Sequence, residues 1–515
     1  MPLARVVGLV LGPLLAVVLY LLLPVEQRDA AGALIGGLTP GGRMTLAVGA
    51  WLAVWWVTEA IPIEAAAMLP LAIFPLAGVA SMKDAAAPYA DEVVFLFLGG
   101  MLLGSAMERW NLHQRLALHV MLALGASPPR LIAGLLCSTA IISMWVSNTA
   151  AAIMMLPIAT GVIALAHTQH EECGNSRDDK SARNFAVASL LAIAYGASIG
   201  GVATIIGSPP NGVMVAFADK TLQQTITFGD WMKIGLPVML VTLPVTWLLL
   251  ISLHNTKGLR VSGAREMFRL RLRELGPLSR GELCVLVVFC AAALAWIFRL
   301  PLADALHLTR ERNGRTERLL TDAGIAILAA MTLFLTPVNW KRGEFVLDWK
   351  TAGKIPWGIL LLFGGGLSLA AAITANGVDD FLGSLFAGMQ GLPMIAVIAI
   401  IAASAVFISE IGSNTAVATV LLPIVATVAP ILGVDVMPLC FAVALGVSLA
   451  FMMPSGTPPN ALVFTSGHLR VREMVKAGFI LNLACIAIIT AACYFIRKAP
   501  APVAKDATIS GASAK

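Results

Sequence analysis

Ser147-Asn148-Thr149-Ala150-Ala151-Ala152-Ile153-Met154-Met155-Leu156-Pro157-Ile158 returns 266 residues later as Ser413-Asn414-Thr415-Ala416-Val417-Ala418-Thr419-Val420-Leu421-Leu422-Pro423-Ile424, with eight of the twelve positions identical. The same offset pairs Ser143 with Ser409, Phe97 with Phe363, and Gly99-Gly100 with Gly365-Gly366. A gapless register held from 97 to 158 is not compositional noise. The chain is a duplication. A second motif follows each copy: Gly207-Ser208-Pro209-Pro210-Asn211 after the first, and Gly456-Thr457-Pro458-Pro459-Asn460 after the second. Paired prolines remove backbone donors and forbid a continuous helix, so each motif breaks its segment. One such motif alone reads equally well as Ser or Thr bonding to its own helix beside a proline kink. Breaks at matching places in two halves point instead to the binding site of a transporter.

The surroundings fit. Of 515 residues, 58% are apolar and 12% charged, against about 25% charged in an ordinary soluble domain. Mean hydropathy is +0.86, and apolar runs long enough to cross a bilayer recur from end to end. Soluble enzyme, nucleic-acid binder and disordered protein are excluded. The expected fold is an all-α polytopic membrane protein with spans at 3–23, 43–60, 63–80, 93–107, 131–165, 185–217, 231–253, 283–298, 323–335, 356–373, 393–432, 437–464 and 475–496. The first reads as a span rather than a signal peptide, since it is long and lacks a small-residue cleavage pattern. The 131–165, 393–432 and 437–464 segments are overlong or interrupted by polar residues, Pro and Gly. Irregular backbone at membrane depth is tolerated only where it is buried in protein or lines a watery cavity.

Charge sets the expected orientation. The 255–280 stretch carries Lys257, Arg260, Arg265, Arg269, Arg271, Arg273 and Arg280 against Glu266 and Glu274, which places it in the cytoplasm. Lys341, Arg342, Lys350 and Lys354 place 340–354 there too. Two-span parity then puts 301–320 outside despite Arg310, Arg312, Arg315 and Arg318, which conflicts with the same rule. The expected organisation is a first half over 1–254, with scaffold helices to about 110 and a hairpin and broken helix beyond. A basic cytoplasmic linker follows over 255–282, then a second half with its own hairpin and broken helix over 283–497, and a disordered tail over 498–515. The net charge of +6 is a loop bias and needs no polyanionic partner. Cys137, Cys173, Cys284, Cys290, Cys440, Cys485 and Cys493 form no C-x-x-C pair and read as small buried hydrophobes. The seven histidines show no metal-ligand spacing.

The repeated residue types define a chemistry. Asn offers a carbonyl acceptor and an amide donor pair, and Ser and Thr offer hydroxyls of both kinds. Hydroxyl, amide and freed backbone carbonyl oxygens suit a hard alkali cation; amide and hydroxyl donors with free helix N-termini suit a carboxylate. None of the four motifs contains Arg or Lys, so helix dipoles and co-bound cations must neutralise an anion. Cation and anion then lower each other's burial cost and must be coupled.

The paired Ser-Asn-Thr and G-[ST]-P-P-N motifs, with the early Trp56-Val57-Thr58-Glu59-Ala60-Ile61-Pro62 run, resemble the divalent anion/sodium symporter (DASS) family over residues 40–495. The resemblance implies about eleven transmembrane helices plus two re-entrant hairpins, an inverted-repeat elevator-type homodimer in the cytoplasmic membrane, and sodium as the coupling ion without further cofactors. Its usual substrates are C4-dicarboxylates such as succinate, fumarate and malate, with citrate or sulfate in some branches. Carried residue by residue, it gives the substrate carboxylates to Ser147, Asn148 and Thr149 and to Ser413, Asn414 and Thr415, with Ser208 and Thr457 closing the pocket. One sodium would take Ser143, Ser147, Asn148 and backbone at Gly207; its twin would take Ser409, Ser413, Asn414 and backbone at Gly456. No Lys or His replaces a sodium ligand, which favours symport over sodium-independent exchange. A citrate or sulfate carrier, an exchanger and an anion channel are the alternatives. Duplication alone does not separate inverted from parallel repeats.

Other residues invite functional readings. Gly196-Ala197-Ser198-Ile199-Gly200 matches a hydrolase nucleophile elbow, but that motif needs a strand–turn–helix and here sits in an apolar span. Small residues at four-spacing there permit close helix packing instead. Glu59, Glu64, Glu92, Glu108 and Glu410 lie in or beside spans, where a carboxylate is costly. Glu410 stands three residues before Ser413, and its repeat partner is Met144. It either tunes the second sodium site or pairs with a polar neighbour. Glu59 belongs with scaffold packing, and Trp51, Trp55 and Trp56 with an interfacial or scaffold position.

Overall fold

Prolines open the helices that matter. Pro40, Pro128, Pro209 and Pro458 occupy the first helical position, where the missing N–H costs nothing and the fixed φ suits the first turn. The computed structural model describes residues 3–28, 34–173, 176–256, 259, 261–312, 315–379, 381 and 392–496; the tail expected to be disordered lies outside them. Nearly all the described chain is helical. Its strands are three antiparallel two-stranded ribbons in connections. Among the described residues nine helices are long and apolar enough to cross a membrane. Side chains such as Val10, Leu21, Leu22, Leu240 and Val287 are exposed on these helices. Such an apolar exterior belongs in lipid, and the protein is a multi-pass membrane protein.

The overlong segments resolve into pairs. The 131–165 span is a hairpin of helices Pro128–Ser143 and Asn148–Cys173, and 393–432 is a hairpin of Met394–Ser409 and Asn414–Ile431. The 185–217 span breaks into Ser176–Gly201 and Pro209–Lys220. The 437–464 span breaks into Val436–Ser448 and Pro458–Phe464. The 63–80 span is likewise Ile63–Ala66 and Leu69–Leu76. Within 255–282, Ala264–Glu274 is a helix that buries Ala264 and Phe268 and packs on Leu112–Leu124. Arg115 of the latter reaches Glu282 with Nε at 2.7 Å and donates to Gly276 O at 3.1 Å. The 301–320 stretch contains a β-hairpin, Thr309–Arg312 against Arg315–Arg318, whose register sets Arg310 opposite Glu317.

The two halves interlock. Each hairpin's first arm packs on its own half's broken helix, Pro128–Ser143 on Ser176–Gly201 and Met394–Ser409 on Val436–Ser448. The second arms also cross over. Asn148–Cys173 packs on Pro458–Phe464, and Asn414–Ile431 on Pro209–Lys220. Two further helix pairs repeat the exchange: Glu92–Arg109 lies on Asp322–Leu335, and Gly358–Ala375 on Ile63–Ala66. The repeat-matched glycines explain the closeness. A Cβ on Gly99 would stand 2.5 Å from Ala326 Cβ, and one on Gly365 2.3 Å from Ala67 O. Phe97 and Phe363, the same position in the two repeats, touch with ring centroids 4.6 Å apart.

Candidate substrate and cation site

Interlocking brings the four motifs to the centre. Helices Asn148–Cys173 and Asn414–Ile431 begin at the hairpin tips, and helices Pro209–Lys220 and Pro458–Phe464 begin at the helix breaks. All four N-termini carry partial positive charge, and the two tip helices also open on N–H groups with no intrahelical partner, whereas the two helices after the breaks open on prolines that have none. Ser208 and Ser448, from opposite halves, meet Oγ to Oγ at 3.1 Å.

Behind each tip sits an oxygen cluster. In the first half Ser143 Oγ lies 2.7 Å from Ala197 O and 2.7 Å from the Asn148 amide. That amide end is also 3.1 Å from Gly207 O and 3.1 Å from Ala197 O. A hydroxyl has one proton, and the carbonyl of Ala197 takes it. The Asn148 amide then turns its NH2 to these oxygens, within donating reach of Ser143 Oγ, Gly207 O and Ala197 O. The second half repeats the serine's place between a carbonyl and the tip amide, with Ser409 Oγ 2.8 Å from Val447 O and 2.6 Å from Asn414 Oδ1. Ser143 and Ser409 are fully buried. Gly201 and Gly207 are required by this closeness: a Cβ on Gly201 would come 2.5 Å from Asn148 Oδ1, and one on Gly207 2.6 Å from Gly201 O.

The outer tip residues are more open. Ser147 is exposed and accepts from Ala150 N at 3.3 Å, while Asn148, Thr149, Ser413 and Asn414 are half-buried and Thr415 is buried. Ser208 and Thr457, expected to close the pocket, are buried at 1% and 2% exposure, with Thr457 Oγ1 accepting from Asn460 N at 3.4 Å. Gly456 lies beside Glu410, where a Cβ would approach Oε2 to 2.9 Å.

The profile described as sodium:sulfate symporter transmembrane region matches residues 10–496. The chain belongs to that family. Among its relatives is a protein named sodium-dependent dicarboxylate transporter SdcS from Staphylococcus saprophyticus, 38% identical over 496 residues, covering 96% of this chain and 91% of that one. The SdcS of a Staphylococcus aureus strain is 36% identical over the same coverage. The crystal structure of the Alcanivorax borkumensis YdaH transporter shares the fold at TM-score 0.56, with 13% identity, 96% of this chain and 98% of that one. The DASS resemblance drawn from the motifs therefore holds across the chain, and the protein is a transporter rather than an enzyme.

Within this symporter fold several residues do work that the motif reading did not assign. Asn211 Nδ2 donates to Gly201 O at 2.9 Å and Thr204 O at 2.8 Å, and Asn460 Nδ2 to Met453 O at 3.0 Å. These asparagines tie down the unwound stretches, and their place after each proline pair was a signal. Thr204 Oγ1 donates to Met144 O and accepts from Gly207 N at 3.0 Å. Nothing local marked Thr204, because its partner lies in another element. Asn482, a buried polar residue in the helix Val471–Ile496, donates to Glu410. Glu410 accepts from backbone N–H groups as well, so the pairing role left open by the sequence is filled. The hydrolase motif is a packing motif: a Cβ on Gly196 would stand 2.6 Å from Leu136 O, and one on Gly200 2.2 Å from Ala140 O. Glu59 pairs with Arg5 at 2.8 Å on the surface. Trp51 and Trp55 flank the first helix at Gly12, and Trp56 is buried.

Proposed function

We propose that this protein carries C4-dicarboxylates such as succinate, fumarate and malate across the cytoplasmic membrane by symport with sodium. The observation that carries the reading is the matched pair of clusters behind the Ser-Asn-Thr tips, each a buried serine hydroxyl between a backbone carbonyl and the tip asparagine amide. Such clusters suit alkali cations, and the tips above them, with free helix N–H groups and no Arg or Lys, suit carboxylates once the cations are in place. The names of the SdcS relatives agree with both ligands.

In this reading Ser143, Ser147, Asn148 and the Gly207 carbonyl hold one sodium, and Ser409, Ser413, Asn414 and the Gly456 backbone the other. Ser147, Asn148 and Thr149 bind one carboxylate and Ser413, Asn414 and Thr415 the second. Ser208 and Thr457, at the starts of the helices after the two breaks, close the pocket. The hairpins are re-entrant, the repeats inverted, and hairpins with broken helices move as an elevator against a scaffold built from helices such as Pro40–Thr58, Glu92–Arg109 and Gly358–Ala375 in a homodimer. The halves are 1–254 and 283–497, joined by the basic 255–282 segment on the cytoplasmic side. The test is uptake of labelled succinate by proteoliposomes under an inward sodium gradient. Accumulation with sodium and its absence with potassium supports the reading. Sodium-driven sulfate uptake without succinate uptake replaces the substrate; succinate exchange indifferent to sodium, or unsaturable conduction, removes symport.

A further inference from the structure

The two half-sites are built from the same neutral ligands but differ by one buried charge. Glu410 follows Ser409 at the end of the second hairpin's first arm and is 4% exposed. Its Oε1 accepts from Phe451 N at 2.7 Å, Met452 N at 2.8 Å and Asn482 Nδ2 at 2.7 Å; its Oε2 accepts from Met453 N at 2.9 Å. Four donors converge on the two oxygens and none of the partner atoms is an acceptor, a set that suits a charged carboxylate. Those backbone donors belong to the unwound stretch of the second broken helix, which also contains Gly456. The first half does the same mechanical job without charge. Met144 stands at the matching position, and the Thr204 hydroxyl bridges Met144 O to Gly207 N.

We propose that Glu410 is a positioning residue that makes the second half-site sodium-first: its fixed charge keeps a dicarboxylate off the vacant second tip until a cation neutralises it. The vacant second site is negative and becomes neutral when loaded; the vacant first site is neutral and becomes positive. The second site therefore binds its cation more tightly. A carboxylate meets repulsion at the vacant second tip and none at the vacant first. A unit charge about 8 Å from another, at an effective dielectric of about 20, changes affinity about 30-fold. This inference rests on the sodium–dicarboxylate reading above.

The test uses the full-length protein in detergent, with choline replacing sodium at constant ionic strength. Succinate binding is measured with labelled ligand and sodium binding by calorimetry. Glu410→Gln is expected to weaken sodium binding about 30-fold and to strengthen succinate binding in sodium-free choline. Glu410→Asp, which keeps the charge, is expected to move neither in those directions. Opposite shifts are the signature, because a merely structural role would lower both affinities together. Parallel losses in Glu410→Gln, or an unmoved sodium affinity, overturn the proposal. A second measurement needs no change at Glu410. Asn148→Ala leaves only the second cation site intact and Asn414→Ala only the first, so the sodium site remaining in Asn148→Ala is expected to be the tighter. Equal or reversed affinities overturn the proposal. A wild-type protein whose succinate affinity ignores sodium would instead remove the functional reading on which the proposal rests.

Discussion

Asn148→Ala removes the amide that joins the first hairpin tip to the first broken helix. The amide end stands 2.7 Å from Ser143 Oγ and 3.1 Å from both Gly207 O and Ala197 O. Without sodium, two N–H donors are lost, and the fully buried Gly207 carbonyl environment loses a partner. At about 0.5–1.5 kcal/mol per neutral hydrogen bond, the sodium-free protein loses about 1–3 kcal/mol. With sodium, a ligand oxygen to a charged group is lost, about 1.5–3 kcal/mol or about 10- to 150-fold in cation affinity. The carboxylate also loses a donor from the same side chain. Succinate uptake at ordinary sodium is expected to vanish while the variant still inserts and elutes as the wild type does on gel filtration. Asn414→Ala is expected to do the same, because Ser409 Oγ stands between Asn414 and Val447 O as Ser143 Oγ stands between Asn148 and Ala197 O. The assays are uptake into proteoliposomes and sodium-dependent thermal shift. Near-normal uptake in either variant would refute the two-tip site.

Further outcomes are expected elsewhere. Ser143→Ala and Ser409→Ala should raise the sodium required for half-maximal uptake by about tenfold, the size of one hydrogen-bonding partner of a charged group, with less effect on succinate affinity at saturating sodium. Arg115→Ala leaves Glu282, whose side chain is 5% exposed, without its ion partner, and should cost about 3–5 kcal/mol, read as a drop in Tm. Gly200→Val drives a side chain into the Ala140 backbone and should cost about 1–3 kcal/mol of stability, with loss of uptake because the first hairpin shifts. In competition uptake near neutral pH, succinate, fumarate and malate should compete strongly and citrate weakly, since an added negative charge meets only dipoles and sodium; equal competition by citrate at pH 8 would overturn this.

The breaks were legible because proline pairs and Ser-Asn-Thr runs are local: Pro209-Pro210 and Pro458-Pro459 start helices where they stand. The duplication was legible as a fixed offset, and the contact between Phe97 and Phe363 is its geometric consequence. The partners were not legible. Nothing in Asn148–Cys173 states that it packs on Pro458–Phe464, because the choice among apolar faces is made by tertiary packing. The same holds for the carbonyls of Ala197 and Val447, which any residue type would supply. The helix Ala264–Glu274 was hidden by its own charge. Ala264 and Phe268 lie four apart on its buried face, but seven basic residues across 255–280 drew the reading toward a loop. Glu410 stood out as a carboxylate at membrane depth, yet its donors come from residues 451–453 and 482, which no local pattern connects to it.

Binding of labelled succinate to the purified protein, titrated with sodium against choline at constant ionic strength, tests the central claim most directly. Sodium ordering both tips should tighten succinate by about 5- to 150-fold, a coupling of about 1–3 kcal/mol, and succinate should tighten sodium by the same factor. A succinate affinity unchanged from trace to saturating sodium would contradict sodium-coupled transport by this protein.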